Sequence, residues 1–165
     1  MFLLDANVFI EAKNRYYAFD ICPGFWAWMD HVVTGGDVCS IDRVRDELIG
    51  GNDDLATWVK ARRGGQWFLD VSDDKTQQAF RQVVASVNAS SYKPHAKRHF
   101  LSGADPWLVA KASITGASVV THEVFNAESK RKVPLPNVCR DFGVPFCDTY
   151  ALLREKACSF YFAAA

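Results

Sequence analysis

Four acidic residues occupy positions from which carboxylates could bind a metal ion together. They lie near the ends of short apolar segments or on the helices between them. Asp5 is the first polar residue after one such segment, and Glu123 lies two residues beyond another. Glu47 and Asp105 belong to predicted helices between these two segments. If the first and last of these segments are neighbouring strands, the four carboxylates converge at one end of a sheet. Because clustered carboxylates cannot all stay ionised without a cation, the set predicts a site for one or two Mg²⁺ or Mn²⁺ ions.

Each acid alone also has a structural explanation. Asp5 is suited to capping the next turn, and Glu47 to pairing with Arg43 on its own helix. Asp105 is expected to be the N-cap of its helix in any case, and Glu123 suits an exposed loop. The prediction of a metal site therefore depends on the set of four and on the fold that brings them together.

The elements that would position these acids alternate between strand and helix. Pro23 marks the start of one helix, with Trp26 and Val33 off its apolar face, and residues 89–101 are predicted to be a loop or short helix. This alternation predicts an α/β fold, a three-layer α/β/α sandwich around a parallel sheet of about five strands. Ligands in such sheets bind at the carboxyl ends of the strands, where the strand order switches. The predicted strands are residues 2–4, 38–41, 67–71, 118–121 and 145–147.

The composition sets limits on the class of protein. The chain has 165 residues, 49% of them apolar, which predicts one globular domain over residues 1–162 and a short appended tail at 163–165. Positive and negative side chains balance at 19 each, so nucleic-acid binding would need a local basic patch. A membrane span and a signal peptide are not expected. The five cysteines form no C-x-x-C pair, which favours a reducing, cytoplasmic location over a disulfide framework or a zinc site.

Four short segments carry the acids in a recognisable order. Residues 2–9 (FLLDANVF) give an apolar strand followed by Asp, any residue and Asn. Residues 44–48 (VRDEL) place a Glu on a helix, and residues 103–110 (GADPWLVA) place an Asp before an Ala-rich apolar helix. Residues 119–123 (VVTHE) give a strand and then Thr-x-acid. Together, across nearly the whole chain, these segments resemble the motifs of PIN domains.

The resemblance implies a metal-dependent endoribonuclease that leaves a 5′-phosphate and a 3′-hydroxyl. Asp5, Glu47 and Asp105 would bind the first Mg²⁺ or Mn²⁺, directly or through water. Glu123 would help to hold a second ion or orient the attacking water. In this family the last acid is usually Asp, so the longer Glu123 side chain departs from the pattern.

Two polar residues of the same motifs are assigned supporting roles by the resemblance. Asn7 and Thr121 would orient carboxylates or bind phosphate. Asn7 is also placed to cap the helix after the first strand. With the four acids, they complete the predicted catalytic set.

The segment 128–139 (ESKRKVPLPNVC) resembles a PIN-like subgroup linked to bacterial toxin–antitoxin loci, of the VapC-like kind. This implies a toxin with RNA as its substrate, a cognate antitoxin protein and a possible homodimer. Lys130, Arg131 and Lys132 follow the last acidic motif and are the predicted RNA-binding residues. Other candidate basic clusters are Lys60 with Arg62 and Arg63, and Lys93 with Lys97 and Arg98, where Tyr92 is a candidate for stacking on a base.

Two alternatives stay open. A catalytically inert PIN-like module that binds RNA or protein is kept open by the departure at Glu123, and it predicts salt-dependent RNA binding without cleavage. A phosphotransfer receiver or phosphatase would often have a second Asp two residues after Asp5. Asn7 stands there instead.

Overall fold

Five short strands form a parallel sheet through the centre of the molecule. In the computed structural model, which describes residues 1–161, the strand order is β3-β2-β1-β4-β5 and every neighbouring pair is parallel. The predicted α/β class is confirmed. Phe162 and the predicted tail at 163–165 lie outside the described residues. The strands are β1 (Phe2–Leu4), β2 (Val38–Ile41), β3 (Phe68–Leu69), β4 (Ser118–Val120) and β5 (Phe146–Cys147).

Nine α-helices within residues 1–161 cover the sheet, which makes a three-layer α/β/α sandwich. A five-residue π-helix, Ala12–Tyr16, follows the first of them directly. No helix in this part of the chain is both long enough and apolar enough to cross a membrane. The α-helices are α1 (Ala6–Glu11), α2 (Pro23–Thr34), α3 (Asp42–Ile49), α4 (Asp54–Lys60), α5 (Asp74–Ala89), α6 (Pro94–Ser102), α7 (Asp105–Thr115), α8 (Leu135–Asp141) and α9 (Thr149–Glu155).

Strand β1 is the central strand, and all of its residues are buried. This is what a continuous apolar segment predicts for a strand covered on both faces. The buried Ser40 hydroxyl of β2 donates to the Leu4 carbonyl oxygen at 2.6 Å. The end of β1 is therefore held firmly against its neighbour, just before the first acid of the predicted site.

The switch in strand order falls between β1 and β4. From β1 the chain builds β2 and β3 on one side and then β4 and β5 on the other. The register pairs Leu4 with Val120, and the Asp5 backbone N–H donates to the Val120 carbonyl oxygen at 3.0 Å. Asp5 and Thr121 are the next residues after the two strands, so they lie side by side at the crevice where such sheets bind ligands.

Two helices differ in detail from the predictions. Helix α2 begins at Pro23 as predicted, but Trp26 and Val33 are buried rather than off the apolar face. Trp26 stacks on Phe19, with ring centroids 4.1 Å apart, because a surrounding aromatic cluster covers that side of the helix as well. The segment predicted as a loop or short helix contains α6, which begins at Pro94.

Candidate functional site

A hydrogen-bond network joins the ends of β1 and β4 at the buried Asp5. The Thr121 hydroxyl donates to Asp5 Oδ2 at 2.8 Å and accepts from the Asn7 side-chain amide at 3.0 Å. The same hydroxyl oxygen accepts the Glu123 backbone N–H at 3.1 Å, and Asn7 Oδ1 accepts the His122 backbone N–H at 3.0 Å. Two strands therefore set the orientation of the Asp5 carboxylate together.

The position of Asn7 differs from the prediction that it caps the first helix. Helix α1 begins at Ala6, so Asn7 lies in its first turn, and Asp5 occupies the capping position without a side-chain cap bond. The Asn7 side chain crosses to the end of β4 instead of closing its own helix. These contacts support the positioning role predicted for Asn7 and Thr121, which remains a prediction.

Both carboxylate oxygens of Glu123 have partners. Lys132 Nζ lies 2.6 Å from Oε1, and the Leu135 backbone N–H donates to Oε2 at 2.9 Å. Leu135 is the first residue of α8, so the carboxylate satisfies a donor that the helix itself leaves open. Glu123 thus fixes the segment between β4 and α8 as well as standing at the predicted site.

Glu47 links α3 to the start of α7. Its Oε1 accepts the Ala104 backbone N–H at 2.7 Å. A Cβ at Gly103 would lie 3.2 Å from the same oxygen, closer than most Cβ contacts, so a glycine there leaves room for the carboxylate. Its alternative partner in the sequence prediction, Arg43, instead lies over the Trp107 ring at 5.1 Å.

The role of Asp105 as an N-cap is corrected by the structure. Helix α7 begins at Asp105 itself, and Ala104 is the capping residue, with no side-chain cap bond. The carboxylate is partly buried within the first turn of the helix. A negative side chain there is favourably placed in the field of the helix N-terminus, whether or not it caps.

The Asp5 carboxyl is strongly affected by its surroundings. Burial raises its pKa from the ordinary 3.8 to about 6, the Thr121 hydrogen bond opposes this rise, and the negative charges of Glu123 and Glu47 add to it. A carboxyl in this state carries a proton for part of the time near neutral pH unless a cation is close.

Asp105 is affected in the same direction. Burial raises its pKa well above the ordinary range, and the charges of Asp5, Glu123 and Glu47 raise it further. Lys132 is the cation that lowers it. The charges of Glu47 and Glu123 thus act on both Asp5 and Asp105, and the charge of Asp5 also acts on Asp105.

The four acids are near one another, but their side chains do not form a ready coordination shell. Within residues 1–161, no group of three His, Cys, Asp or Glu side chains is arranged to hold a metal ion as it stands. The available donors are carboxylate and hydroxyl oxygens, the type that Mg²⁺ and Mn²⁺ prefer. Glu47 and Glu123 are occupied by protein donors, whereas Asp5 and Asp105 are the two acids with raised pKa values.

The predicted RNA-binding residues have separate surroundings. Lys132 pairs with Glu123, a member of the acidic cluster formed by Asp5, Glu47, Asp105 and Glu123. The Lys132 side chain is 60% exposed, and Arg131 is exposed as well. Lys130 turns away and donates to the Ser91 hydroxyl at 2.9 Å. Of the three, Lys132 is therefore the one placed directly against the acids.

Several members of the other basic clusters are engaged in structural contacts. Arg62 binds Asp30 through two nitrogens, and Lys97 donates to two backbone carbonyl oxygens near the end of α5. The Tyr92 hydroxyl accepts from the Asn137 side-chain amide at 2.9 Å, and its ring is half-buried. These contacts favour structural roles for Arg62, Lys97 and Tyr92.

Sequence reasoning did not identify the backbone groups that complete the site. The N–H groups of Ala104 and Leu135 hold Glu47 and Glu123, and that of His122 holds Asn7. Backbone donors are available at every non-proline residue, so no residue type signals them.

A family model described as "Domain of unknown function (DUF4411)" matches residues 2–160. The match spans all four acids, the complete sheet and the nine helices of the described residues. No curated protein matches the chain. The family match therefore includes every residue of the candidate site.

Proposed function

We propose that this chain, which belongs to the DUF4411 family, is a metal-dependent endoribonuclease with a PIN-like active site. One observation carries the proposal. Asp5, beside the joined ends of β1 and β4, and Asp105 are each acted on by the negative charges of Glu47 and Glu123, which raise the pKa values of both. Keeping four carboxylates together is costly without a compensating cation, and Lys132 alone does not balance them.

The donor set suits Mg²⁺ or Mn²⁺, because it consists of carboxylate oxygens beside a hydroxyl. Asp5, Glu47 and Asp105 would hold the first ion, and Glu123 would hold a second or orient the attacking water. When bound, such an ion lowers the pKa of water and offsets the charge that develops on a phosphodiester. The two occupied acids would exchange a protein donor for the ion, a change of side-chain rotamer that their partly exposed positions allow.

The remaining residues of the site would position and attract the substrate. Thr121 donates to the Asp5 carboxylate and Asn7 donates to Thr121, so together they would fix the orientation of a metal-binding carboxylate. Lys132 lies at the mouth of the acidic cluster, where a phosphate would approach, and its exposed ammonium would offset the charge of the RNA backbone.

Activity and metal dependence can be tested together on one single-stranded RNA. We expect cleavage with Mg²⁺ or Mn²⁺, none with EDTA, and none for Asp5→Asn, whose amide cannot supply a charged ligand. Asp46→Asn is the matched control, because Asp46 lies beside Glu47 on α3 but pairs with Arg45. Full activity of Asp5→Asn, or cleavage that survives EDTA, would contradict the mechanism.

A direct measurement of the ion complements the activity assay. A crystal soaked in Mn²⁺, with data collected at the manganese absorption edge, should show anomalous density between Asp5 and Asp105. Density elsewhere on the protein, with none between these two carboxylates, would remove the proposed metal site.

The proposal extends to a toxin of a bacterial toxin–antitoxin pair, supported by the resemblance of residues 128–139. Expression in bacteria should arrest growth, and Asp5→Asn should relieve the arrest. A cognate antitoxin would restore growth when co-expressed, and size-exclusion chromatography of the protein alone would show whether it forms a homodimer. Unimpaired growth during expression of folded wild-type protein would argue against the toxin role.

The second candidate is an inert RNA- or protein-binding module. It is favoured by the occupied carboxylates, since Glu47 and Glu123 already have protein partners that explain their presence structurally. This candidate predicts RNA binding that weakens with salt and no strand cleavage with any divalent ion.

A further inference from the structure

A groove with a volume of about 370 Å³ opens beside the acidic cluster, at the ends of β4 and β5. We call it the edge groove. Glu123 belongs to both the groove and the acidic cluster, and Thr121 of the groove binds Asp5 of the cluster. The groove and the cluster therefore share a wall. The volume lies near the lower end of the roughly 300–1,000 Å³ typical of small-molecule sites, which is suitable for one nucleotide-sized group. Its aromatic wall consists of Phe125, Phe146 and Tyr150.

Exposed aromatic rings are concentrated at this groove. Six exposed Phe and Tyr side chains occur within residues 1–161, and two of these, Phe160 and Tyr161, belong to the C-terminal segment. Three of the other four line the groove, and the fourth, Tyr16, lies beside its Tyr150, although large aromatic side chains are usually buried. They are Tyr16 (48% exposed), Phe125 (36%), Phe146 (37%) and Tyr150 (38%).

The π-helix explains how Tyr16 reaches the groove. Tyr16 is its last residue, and its ring lies 5.9 Å from that of Tyr150 and 6.1 Å from that of His122. The next residue, Tyr17, points inward and stacks on Phe25 at 4.3 Å. Single π-helical turns occur frequently at functional sites, and this one separates a core tyrosine from an exposed one.

Two further contacts preorganise the groove wall. The His122 ring lies in hydrogen-bonding distance of the Thr149 hydroxyl, at 3.0 Å, which fixes the ring beside Tyr16. The Arg140 guanidinium lies over the Phe125 ring at 4.7 Å and adds a positive charge to this side. The groove therefore offers the exposed rings of Phe146 and Tyr150 near the charge of Arg140, a combination that suits a planar base attached to a phosphate. Its lining also includes the carboxyl groups of Glu123 and Asp148.

We infer that the edge groove binds an unpaired nucleobase of the RNA strand whose phosphate lies at the acidic cluster. The inference rests on the proposed function and deepens it by assigning a base-binding subsite to Phe146 and Tyr150 of this chain. A phosphodiester at the carboxylates would place an adjacent base at the shared wall of Thr121 and Glu123. Bases in a duplex are already stacked on their neighbours and cannot enter, so the groove selects against paired RNA.

The test measures stacking separately from cleavage. The probe is a short single-stranded RNA with one 2-aminopurine, whose fluorescence is quenched on stacking, in buffer with Ca²⁺ in place of Mg²⁺. A gel of each sample checks that the strand is intact. The same strand in a duplex is the comparison. Tyr150→Leu removes a ring from the groove and Tyr16→Leu removes the ring beside it. Tyr161→Leu is the matched control, since Tyr161 is 89% exposed and lies outside the groove.

We expect Tyr150→Leu and Tyr16→Leu to weaken binding of the single strand by about 5- to 100-fold, the range expected for losing one base-stacking contact. They should also abolish the quenching of 2-aminopurine. Tyr161→Leu should behave like the wild type, and Tyr150→Phe, which keeps the ring, should retain the quenching. Duplex RNA should bind weakly to all of these proteins.

The outcomes separate this inference from the proposed function. If the wild type cleaves RNA but the groove variants match it in RNA affinity and in quenching of 2-aminopurine, the groove does not bind a base. A protein partner then becomes the remaining candidate for the groove. Duplex binding as tight as single-strand binding would also overturn the assignment. If the wild type quenches the probe but never cleaves RNA, the nuclease proposal fails and the groove assignment stands.

Discussion

Two polar clusters in this protein differ in how their charges are balanced. Asp30 and Arg62 form a closed pair, with Arg62 nitrogens 2.6 and 2.7 Å from the two carboxylate oxygens. Trp67 donates to the same carboxylate at 3.2 Å, and the guanidinium lies 3.8 Å from the centre of the Trp58 ring. Every charge in this cluster has an opposite partner and a packing contact, which is typical of a structural element.

The acidic cluster has no such balance. Asp5 and Asp105 have raised pKa values because burial and neighbouring negative charges act in the same direction, and Lys132 provides the opposing charge through Glu123. A cluster that destabilises its own charged state is a candidate for function, since perturbed carboxyl groups are concentrated at functional sites. The charges of the first cluster are matched within the fold, whereas Asp5 and Asp105 of the second keep raised pKa values.

The largest expected effect concerns activity. Asp105→Asn should reduce metal-dependent RNA cleavage by more than about 100-fold, because even residues that only support a metal ligand are worth about 10–100-fold. Asp30→Asn should leave the rate within a few-fold of the wild type, as it lies in the balanced cluster. Initial rates in Mg²⁺ would measure both, and similar losses in the two variants would remove the distinction between the clusters.

The next effect is on thermal stability. Saturating Mn²⁺, at about 100 times its dissociation constant, should stabilise the wild type by about 2.7 kcal/mol, which raises the Tm by roughly 5–11 °C for a chain of this size. Asp105→Asn should lose most of this shift, and Asp30→Asn should keep it. Differential scanning fluorimetry measures all three proteins. An unchanged Tm for the wild type over a wide range of Mn²⁺ concentration would count against a metal site.

The pH dependence of stability should differ between Asp5→Asn and the wild type when no divalent ion is present. The folded protein holds the Asp5 proton more tightly than the unfolded chain, because its pKa is about 6 rather than 3.8. Below pH 3.8 both states are protonated. As the pH rises toward 6 the unfolded chain ionises first, so folded stability falls.

Asp5→Asn should therefore gain stability relative to the wild type across this window, by on the order of 3 kcal/mol. Urea unfolding in EDTA at a series of pH values gives the difference. Taking the difference between the two proteins cancels the contributions that carboxyl groups elsewhere in the protein make to the pH dependence of stability. A difference that stays constant between acidic and neutral pH would show that the raised pKa of Asp5 is not a property of the folded protein.

The smallest expected effect tests the balanced cluster. Arg62→Ala should lower the free energy of unfolding by about 1 kcal/mol, since the ion pair is partly exposed and the cation–π contact with Trp58 adds a modest amount. Arg63→Ala, at an exposed neighbouring position, is the matched control and should change little. Equal effects of the two substitutions would mean that the Asp30–Arg62 pair adds nothing measurable.

Most of the strands and several caps could be predicted because they depend on local sequence. The segment Phe2–Leu4 is apolar and ends at a charged residue, and Asp148 and Asp73 accept backbone N–H groups of the helices that they precede. The caps assigned to Asn7 and Asp105 were wrong, because each helix begins earlier or takes its cap from another residue. Helix starts shift by a residue or two in response to contacts that the sequence does not display.

The candidate site was predictable as a set of residues and not as an arrangement. Asp5, Thr121 and Glu123 could be chosen from their positions after apolar segments, since parallel strands put their carboxyl ends at one edge. Glu47 and Asp105 were chosen as acids on the helices between those segments. The engagement of Glu123 by Lys132 and Leu135 was not predictable, because it depends on how the segment after β4 folds back. The exposure of Tyr16 was equally hidden, since it depends on the π-helix.

The sequence by itself determined the alternation of strands and helices, because hydrophobic periodicity and turn residues act over a few neighbouring positions. It also determined which side chains carry charge. Only the tertiary structure decided that β4 pairs with β1, which brings Thr121 to Asp5 from 116 residues away. It also decided which acids are buried near one another and which are matched by a cation, because pKa values depend on distances across the whole fold.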